Sequence, residues 1–115
     1  AWEEPVRTAT IATHRRAFPS GAVHFLATID GAPVGVGSIE LRDGIATLVG
    51  GGVVPAWRGA HLHRWLIAER LAEAARRGAT EVLATAEPNS TSLRNLVACG
   101  LRPVWVEEVW ETRSR

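Results

Sequence analysis

The amino-acid sequence predicts a mixed α+β fold, a central sheet packed against helices in the order α-β-β-β-α-β-α-β. Three observations lead to this prediction. Residues 22–54 hold three apolar segments separated by Asp-Gly turns, the pattern of an antiparallel meander. Residues 61–77 repeat apolar side chains at helical spacing. Residues 81–87 are apolar again, and a strand reached through a helical crossover pairs in parallel with the preceding strand.

The meander and the segment before it supply the first four elements. Residues 3–18 are predicted to form a helix, because acidic residues stand at its start and basic residues near its end, as the helix dipole prefers. The three strands of the meander are predicted at residues 22–30, 34–42 and 45–54.

The last two elements follow the parallel strand. Residues 92–99 are predicted to form a short helix that is capped by Asn89 or Ser90. Gly100 ends this helix, at a position where a left-handed conformation is needed. Residues 101–113 are predicted to form a final strand.

The composition fits a single domain of ordinary globular character. The chain has 115 residues, 46% hydrophobic and 22% charged, which is enough for one core. A net charge of +1 argues against a nucleic-acid partner. No apolar stretch approaches the roughly 20 residues of a membrane span and no signal peptide is visible, so we expect a cytoplasmic protein. A single cysteine, Cys99, predicts neither disulfides nor a metal site.

The chain contains no methionine, even at its first residue. We therefore expect residues 1–115 to be one domain that is N-terminally incomplete or part of a longer chain.

One stretch combines an interrupted strand with the start of a helix. Three successive glycines, residues 50–52, predict a bulge or the close approach of a ligand. Arg58, Gly59 and Ala60 then lead into the helix. The first N–H groups of a helix have no intrahelical partner, and the helix dipole favours negative charge beside them. The stretch therefore predicts an anion site.

This stretch resembles the cofactor-binding core of the GNAT-type N-acetyltransferase superfamily. Members carry a strand, the motif R/Q-x-x-G-x-G/A and a helix, and bind the pyrophosphate of acetyl-coenzyme A on the turn. Arg58 matches the first position, and Gly59 and Ala60 fill the next two. His61 and His63 stand where the family has Gly and Gly or Ala. The resemblance implies that these five residues contact acetyl-CoA.

A second part of the chain resembles the same family. Members carry Asn-x-x-Ala/Ser before a helix that ends in Gly-Phe, and here Asn89 and Ser92 precede Gly100-Leu101. The resemblance implies that Asn89 and Ser92 face the pantetheine arm and the pyrophosphate. Leu96 stands where many members have a tyrosine that protonates the leaving thiolate, and this chain has no tyrosine.

The predicted order of elements matches the family's fold from its second helix to its end. The resemblance therefore implies a GNAT-like sheet whose third strand splays away from the parallel strand after it. It also implies that the family's first strand and first helix precede residue 1. Without them, the strand at residues 22–30 is expected to be an open edge.

Acetyl transfer requires a deprotonated amine, a polarised thioester carbonyl and a protonated leaving thiolate. If the strand bulges at its glycines and splays, its free backbone groups can pair with pantetheine as an added strand does. Gly52 and Val53 would then contact the acetyl end, and Val54 completes this cofactor-binding segment. Glu87 and Glu40 are the candidate catalytic bases. Glu87 is the better placed, and the alternative for both is a solvated surface charge.

The two histidines admit different interpretations. Helical geometry disfavours a metal pair, because residues two apart on a helix point to different faces. His61 either donates to the pyrophosphate or blocks it with its ring, since glycine at this position lets phosphate touch the backbone. His63 lies one turn into the helix, and we expect it to matter less. A His61 ring that projects into the groove would favour loss of function, and an outward ring would favour an enzyme.

The sequence thus predicts an acyl-CoA-dependent N-acetyltransferase with acetyl-CoA as cosubstrate. The acceptor is a primary amine of a small molecule or a protein. The alternative is a catalytically silent module of the same fold that binds CoA weakly or not at all and serves regulation or dimerisation. We expect no nucleic-acid or membrane partner, and either a homodimer or an N-terminal domain of the same chain.

Overall fold

A computed structural model describes residues 11–57 and 61–104. In this part of the chain one five-stranded sheet has the order β1-β2-β3-β4-β5, antiparallel throughout except for the parallel pair β4–β5. The elements are β1 Ile11–Ala17, β2 Ala22–Ile29, β3 Ala32–Arg42, β4 Ile45–Val53, a 3-10 turn Pro55–Trp57, α1 Leu62–Arg76, β5 Glu81–Leu83 and α2 Thr91–Ala98. The mixed α+β architecture, the meander and the parallel crossover are as predicted.

Both tight hairpins of the meander use an Asp-Gly pair. Asp30 and Gly31 have φ angles of 52° and 85°, and Asp43 and Gly44 have 52° and 79°. Positive φ at both central residues is the turn geometry whose twist matches that of the flanking strands. The local sequence therefore sets the register next to both turns, and a bulge then shifts it by one residue farther along each strand pair.

The core lies between one face of the sheet and α1. Leu62, Leu66 and Ile67 of α1 are each at most 3% exposed. They belong to the same buried cluster as Phe25 of β2 and Ile39 of β3. Each such side chain contributes about 1.5–3 kcal/mol through the removal of apolar surface from water. This packing fixes α1 across β2, β3 and β4.

The predicted helix at residues 3–18 is wrong for the residues that are described. Residues 11–17 form β1, which pairs with β2 from Ile11–Ile29 to Ala17–Val23. The rest of that prediction lies outside the described residues. Pairing along the whole strand outweighs a favourable arrangement of charges, which is worth at most about 1 kcal/mol. The expected open edge at β2 is also wrong, because β1 covers it.

Three elements near the C-terminus differ from expectation. The parallel strand, predicted at residues 81–87, ends at Leu83. The helix α2 begins one residue earlier than predicted, and Ser90 is its cap, accepting a hydrogen bond from the Leu93 amide at 3.0 Å. Gly100 ends it with a φ of 105°, as predicted. Of the predicted final strand, residues 101–104 are not strand and the remainder lies outside the described residues.

Candidate functional site

The strands β4 and β5 separate after three residue pairs. Their ladder runs from Ile45–Glu81 to Thr47–Leu83 and then stops, although β4 continues to Val53. The predicted splay is therefore present. Beyond it lies a groove of about 360 Å³ between the two strands and the two helices. Its described lining residues are Leu48, Val49, Gly50, Gly51, His63, Ile67, Arg70, Ala84, Thr85, Ser92 and Leu96.

The glycine segment forms a bulge on the groove side of β4, as predicted. Gly37 of β3 pairs with Gly51, whereas the next residue, Ser38, pairs with Val49. Gly50 is therefore the extra residue, and its φ of 61° is a conformation that favours glycine. The bulge changes the direction of the β4 backbone where that backbone lines the groove.

Arg70 of α1 is buried against this bulge. The residue is only 4% exposed. Its Nε donates to the Leu66 carbonyl at 3.1 Å, and its Nη1 donates to the carbonyls of Ser38 at 3.2 Å and Gly50 at 3.1 Å. Burial lowers the pKa of Arg70, yet a guanidinium stays charged at neutral pH. A positive charge thus lies in the wall of the groove.

Arg70 was not among the predicted site residues, although its position on α1 carries a signal in the sequence. Arg70 follows Leu66 by four residues and precedes Ala74 by four, so it lies on the apolar stripe of α1. An arginine in a buried stripe needs space and acceptors. Gly37 provides the space, because a Cβ at that position would lie 2.9 Å from the Arg70 Cζ. A charged residue on the apolar stripe of a helix, in a chain whose strands contain glycines, therefore indicates a buried charge that packs against the sheet.

His63 lines the groove, contrary to the expectation that it matters less than His61. The ring is half-buried, and its Nδ1 is the one fully buried side-chain polar atom without a hydrogen-bond partner in the described part of the chain. Burial, and then the positive charge of Arg70, lower the pKa of His63. The imidazole is therefore neutral at pH 7. His63, at the sixth position of the motif that begins with Arg58, is thus the motif histidine that lines the groove.

His61 has a different placement. It is exposed, it precedes α1 as its N-terminal flanking residue, and it has a left-handed φ of 61°. It is not among the residues that line the groove. The His61 ring therefore does not occupy this groove, which is the outcome that favours the enzyme over the silent module. The motif residues Arg58, Gly59 and Ala60 lie outside the described residues.

On the other side of the groove, α2 contributes Ser92 and Leu96. Ser92 therefore lines the same groove as the bulge of β4, and its contact with a pantetheine arm stays a prediction of the family resemblance. Asn89 is exposed with a φ of 58° and does not line the groove. Leu96 presents an apolar wall at the position where many family members have a tyrosine.

The remaining predicted site residues lie elsewhere. Glu87 and Glu40 are both exposed, and neither lines the groove. The segment of Gly52, Val53 and Val54 lines a second concavity of about 340 Å³, together with Leu26, Pro33, Val34, Gly35 and Val36. The bulge residues that do line the groove are therefore Gly50 and Gly51, one or two positions earlier than expected.

The described residues contain no group of three or more metal-ligating side chains. Within the same part of the chain, no helix is long and apolar enough to cross a membrane.

Comparison with protein families agrees with this architecture. Residues 1–101 match the model of the acetyltransferase (GNAT) family. The chain therefore belongs to that family. Among curated proteins no significant match was found.

Solved structures with the same fold are numerous. An aminoglycoside N-acetyltransferase, AAC(6')-Iy, in complex with CoA superposes with a TM-score of 0.75 at 16% identity, covering 94% of this chain and 98% of that one. A Trypanosoma brucei acetyltransferase gives a TM-score of 0.69 at 20% identity, covering 81% and 70%. Glucosamine-6-phosphate N-acetyltransferase from Arabidopsis thaliana gives 0.70 at 12% identity, covering 81% and 68%. At these identities the similarity establishes the fold.

Proposed function

We propose that this protein is an N-acetyltransferase that moves the acetyl group of acetyl-CoA to a primary amine of a small molecule. The observation that carries this proposal is the groove between β4 and β5, which opens beside a glycine bulge and the start of α1. Structural neighbours named for aminoglycosides and glucosamine-6-phosphate support a small amine as the acceptor. A protein amine is the second class of acceptor to test.

The residues of the groove fit a CoA thioester. The splay leaves residues 48–51 of β4 without a β5 partner, so their backbone groups that bond neither β3 nor Arg70 can pair with an extended pantetheine arm. The N–H groups at the start of α1 and their dipole suit the pyrophosphate. The backbone of the bulge at Gly50 and Gly51 is suited to polarising the thioester carbonyl. Ser92, Thr85 and the neutral His63 all line the groove, and each of these side chains can exchange a proton with the leaving thiolate.

The base that deprotonates the amine is a separate proposal. Glu87 follows the β5 end of the splay and is a better candidate than Glu40, which lies near the C-terminal end of β3. Both are exposed, and action through a bridging water is compatible with either position.

Activity is tested by following the release of CoA thiol with a panel of amines that includes an aminoglycoside, an amino sugar and a lysine peptide. Turnover with at least one small amine is expected. Ser92→Trp, which places an indole in the groove, should abolish it. Thr91→Trp alters the neighbouring exposed residue of the same helix turn and should retain activity. Equal activity of the two variants would contradict the assigned groove.

One observation favours the silent module as a second candidate. The ring of His63 lines the groove where the family has a small residue, and Leu96 replaces the tyrosine. If acetyl-CoA binds but no amine is acetylated, or if binding appears only in His63→Gly, the silent module is the correct interpretation.

A further inference from the structure

Arg70 is a buried cation without a counter-charge in the described part of the chain. The ion pairs found there all converge on Glu73, which lies three residues beyond Arg70 on α1 and pairs with Arg15, Arg76 and Arg77 but not with Arg70. The three hydrogen bonds of Arg70 end on main-chain carbonyls, which carry only partial charges. Burial of a charge without an opposite charge is unfavourable. A ligand that supplies a negative charge beside Arg70 would remove this penalty.

The second terminal nitrogen of Arg70, Nη2, is available to such a ligand. It donates to no described residue, and it is not among the fully buried atoms that lack a partner. Arg70 is among the residues that line the groove. Its Nη2 lies 3.3 Å from the position that a Cβ on Gly37 would occupy and 3.7 Å from that on Gly51. The absence of side chains at these two glycines leaves room for the guanidinium beside the bulge.

A second polar group borders the same space. Nδ1 of His63 is buried without a partner in the described residues, and the ring lies near enough for the charge of Arg70 to lower the pKa of His63. In the neutral tautomer that carries its proton on Nδ1, the imidazole can donate to one oxygen of a carboxylate and the guanidinium can donate to the other.

The position of Arg70 identifies which part of an acyl-CoA would reach it. Arg70 is eight residues beyond Leu62, about 12 Å along the helix axis. It is also beside the bulge, near the end of the groove that the Thr47–Leu83 pair closes. A cofactor whose pyrophosphate binds at the start of α1 therefore presents its acyl end to Arg70.

We propose, building on the proposed function, that the groove accepts an acyl-CoA whose acyl group ends in a carboxylate, of the malonyl or succinyl class, and that Arg70 binds this carboxylate. In the transfer step the amine nitrogen attacks the thioester carbonyl carbon, a C–N bond forms and the C–S bond breaks. CoA leaves as its thiol with the proton that the amine gives up. The distal carboxylate takes part in binding alone and is unchanged in the product.

Calorimetry on the wild-type protein tests this without any substitution. Malonyl-CoA is compared with propionyl-CoA, and succinyl-CoA with butyryl-CoA, so that each pair differs in the terminal carboxylate. At least one carboxylate-bearing member should bind tenfold or more tightly than its neutral counterpart. Dissociation constants within twofold of each other in both pairs would overturn the inference and leave acetyl transfer intact. If no acyl-CoA binds, the proposed function fails and this inference fails with it.

Substitution then assigns the preference to Arg70. Arg70→Gln should bring the two members of a pair to within twofold of each other, because it removes the charge. Arg70→Lys should retain part of the preference. A merely structural loss would weaken both members equally and leave their ratio unchanged, which would overturn the assignment to Arg70. Arg42→Gln removes an exposed charge of β3 and should keep the wild-type ratio.

Discussion

At the scale of single residues, Arg70 fits into the sheet because Gly37 has no side chain. A Cβ at Gly37 would lie 2.9 Å from both Cζ and Nε of Arg70, whose guanidinium is held by three hydrogen bonds and cannot move freely. We predict that Gly37→Ala lowers the free energy of unfolding by about 1–3 kcal/mol, the usual cost of overpacking. Gly52→Ala is the matched control, because its Cβ would meet nothing within 4 Å.

Urea denaturation measures both variants. The control should remain within about 0.5 kcal/mol of wild type. Equal stability of Gly37→Ala and wild type would mean that Arg70 has another position available. That result would contradict a guanidinium fixed in the wall of the groove.

His61 carries a backbone cost that glycine would remove. Its φ of 61° is unfavourable for a residue with a Cβ. We predict that His61→Gly raises the free energy of unfolding by about 1 kcal/mol. Ala68→Gly, at an exposed position inside α1, should instead lower it by about 1 kcal/mol. A destabilised His61→Gly protein would show that the His61 side chain makes a contact worth more than the strain.

At the scale of elements, one carboxylate joins α1 to β1. Glu73 is buried, and its oxygens contact Nε of Arg15 on β1 at 3.3 Å, Nη2 of Arg76 at 2.6 Å and Nε of Arg77 at 2.7 Å. Burial raises the pKa of Glu73, but the hydrogen bonds from Arg77 and Arg76 and the charge of Arg15 outweigh it, so the net shift is downward. Charged Glu73 therefore stabilises the folded state.

Because the folded pKa of Glu73 is the lower one, this stabilisation is present above the unfolded value of about 4.3 and is lost as pH falls through the folded value. We predict that Glu73→Gln costs about 1–3 kcal/mol at pH 7. Glu69→Gln, one turn earlier on α1, should cost less than about 0.5 kcal/mol. Thermal unfolding at pH 7 and pH 3 should show that the Glu73→Gln deficit shrinks in acid. An undiminished deficit would contradict an electrostatic role.

Local signals predicted the elements whose structure depends on local chemistry. The Asp43-Gly44 turn, the glycine bulge and the glycine end of α2 each need a particular backbone conformation that few residues adopt. The strand β1 was predicted as a helix because its stability comes from pairing with β2 and from the contact between Arg15 and Glu73, which are far apart in sequence. The early end of β5 likewise follows from the splay.

At the scale of the whole molecule, the site is only partly visible in the sequence. The bulge was predicted from its three glycines, and the splay was implied by the family resemblance. The same resemblance singled out Ser92, which lines the groove. The roles of Arg70 and His63 were not predicted, because they result from α1 lying across β3 and β4. The buried charge of Arg70 is explained only once the fold places α1 over Gly37 and Gly51, which leave room for the guanidinium.

Hydrogen exchange in the presence and absence of saturating acetyl-CoA tests the central claim most directly. If the groove binds the cofactor, amides of residues 48–51 and of the first turns of α1 and α2 should exchange several-fold more slowly. Amides of the β1–β2 hairpin, which lies away from the groove, should be unchanged. Unaltered exchange at residues 48–51, or protection confined to the hairpin, would contradict the assignment of the groove between β4 and β5 as the acyl-CoA site.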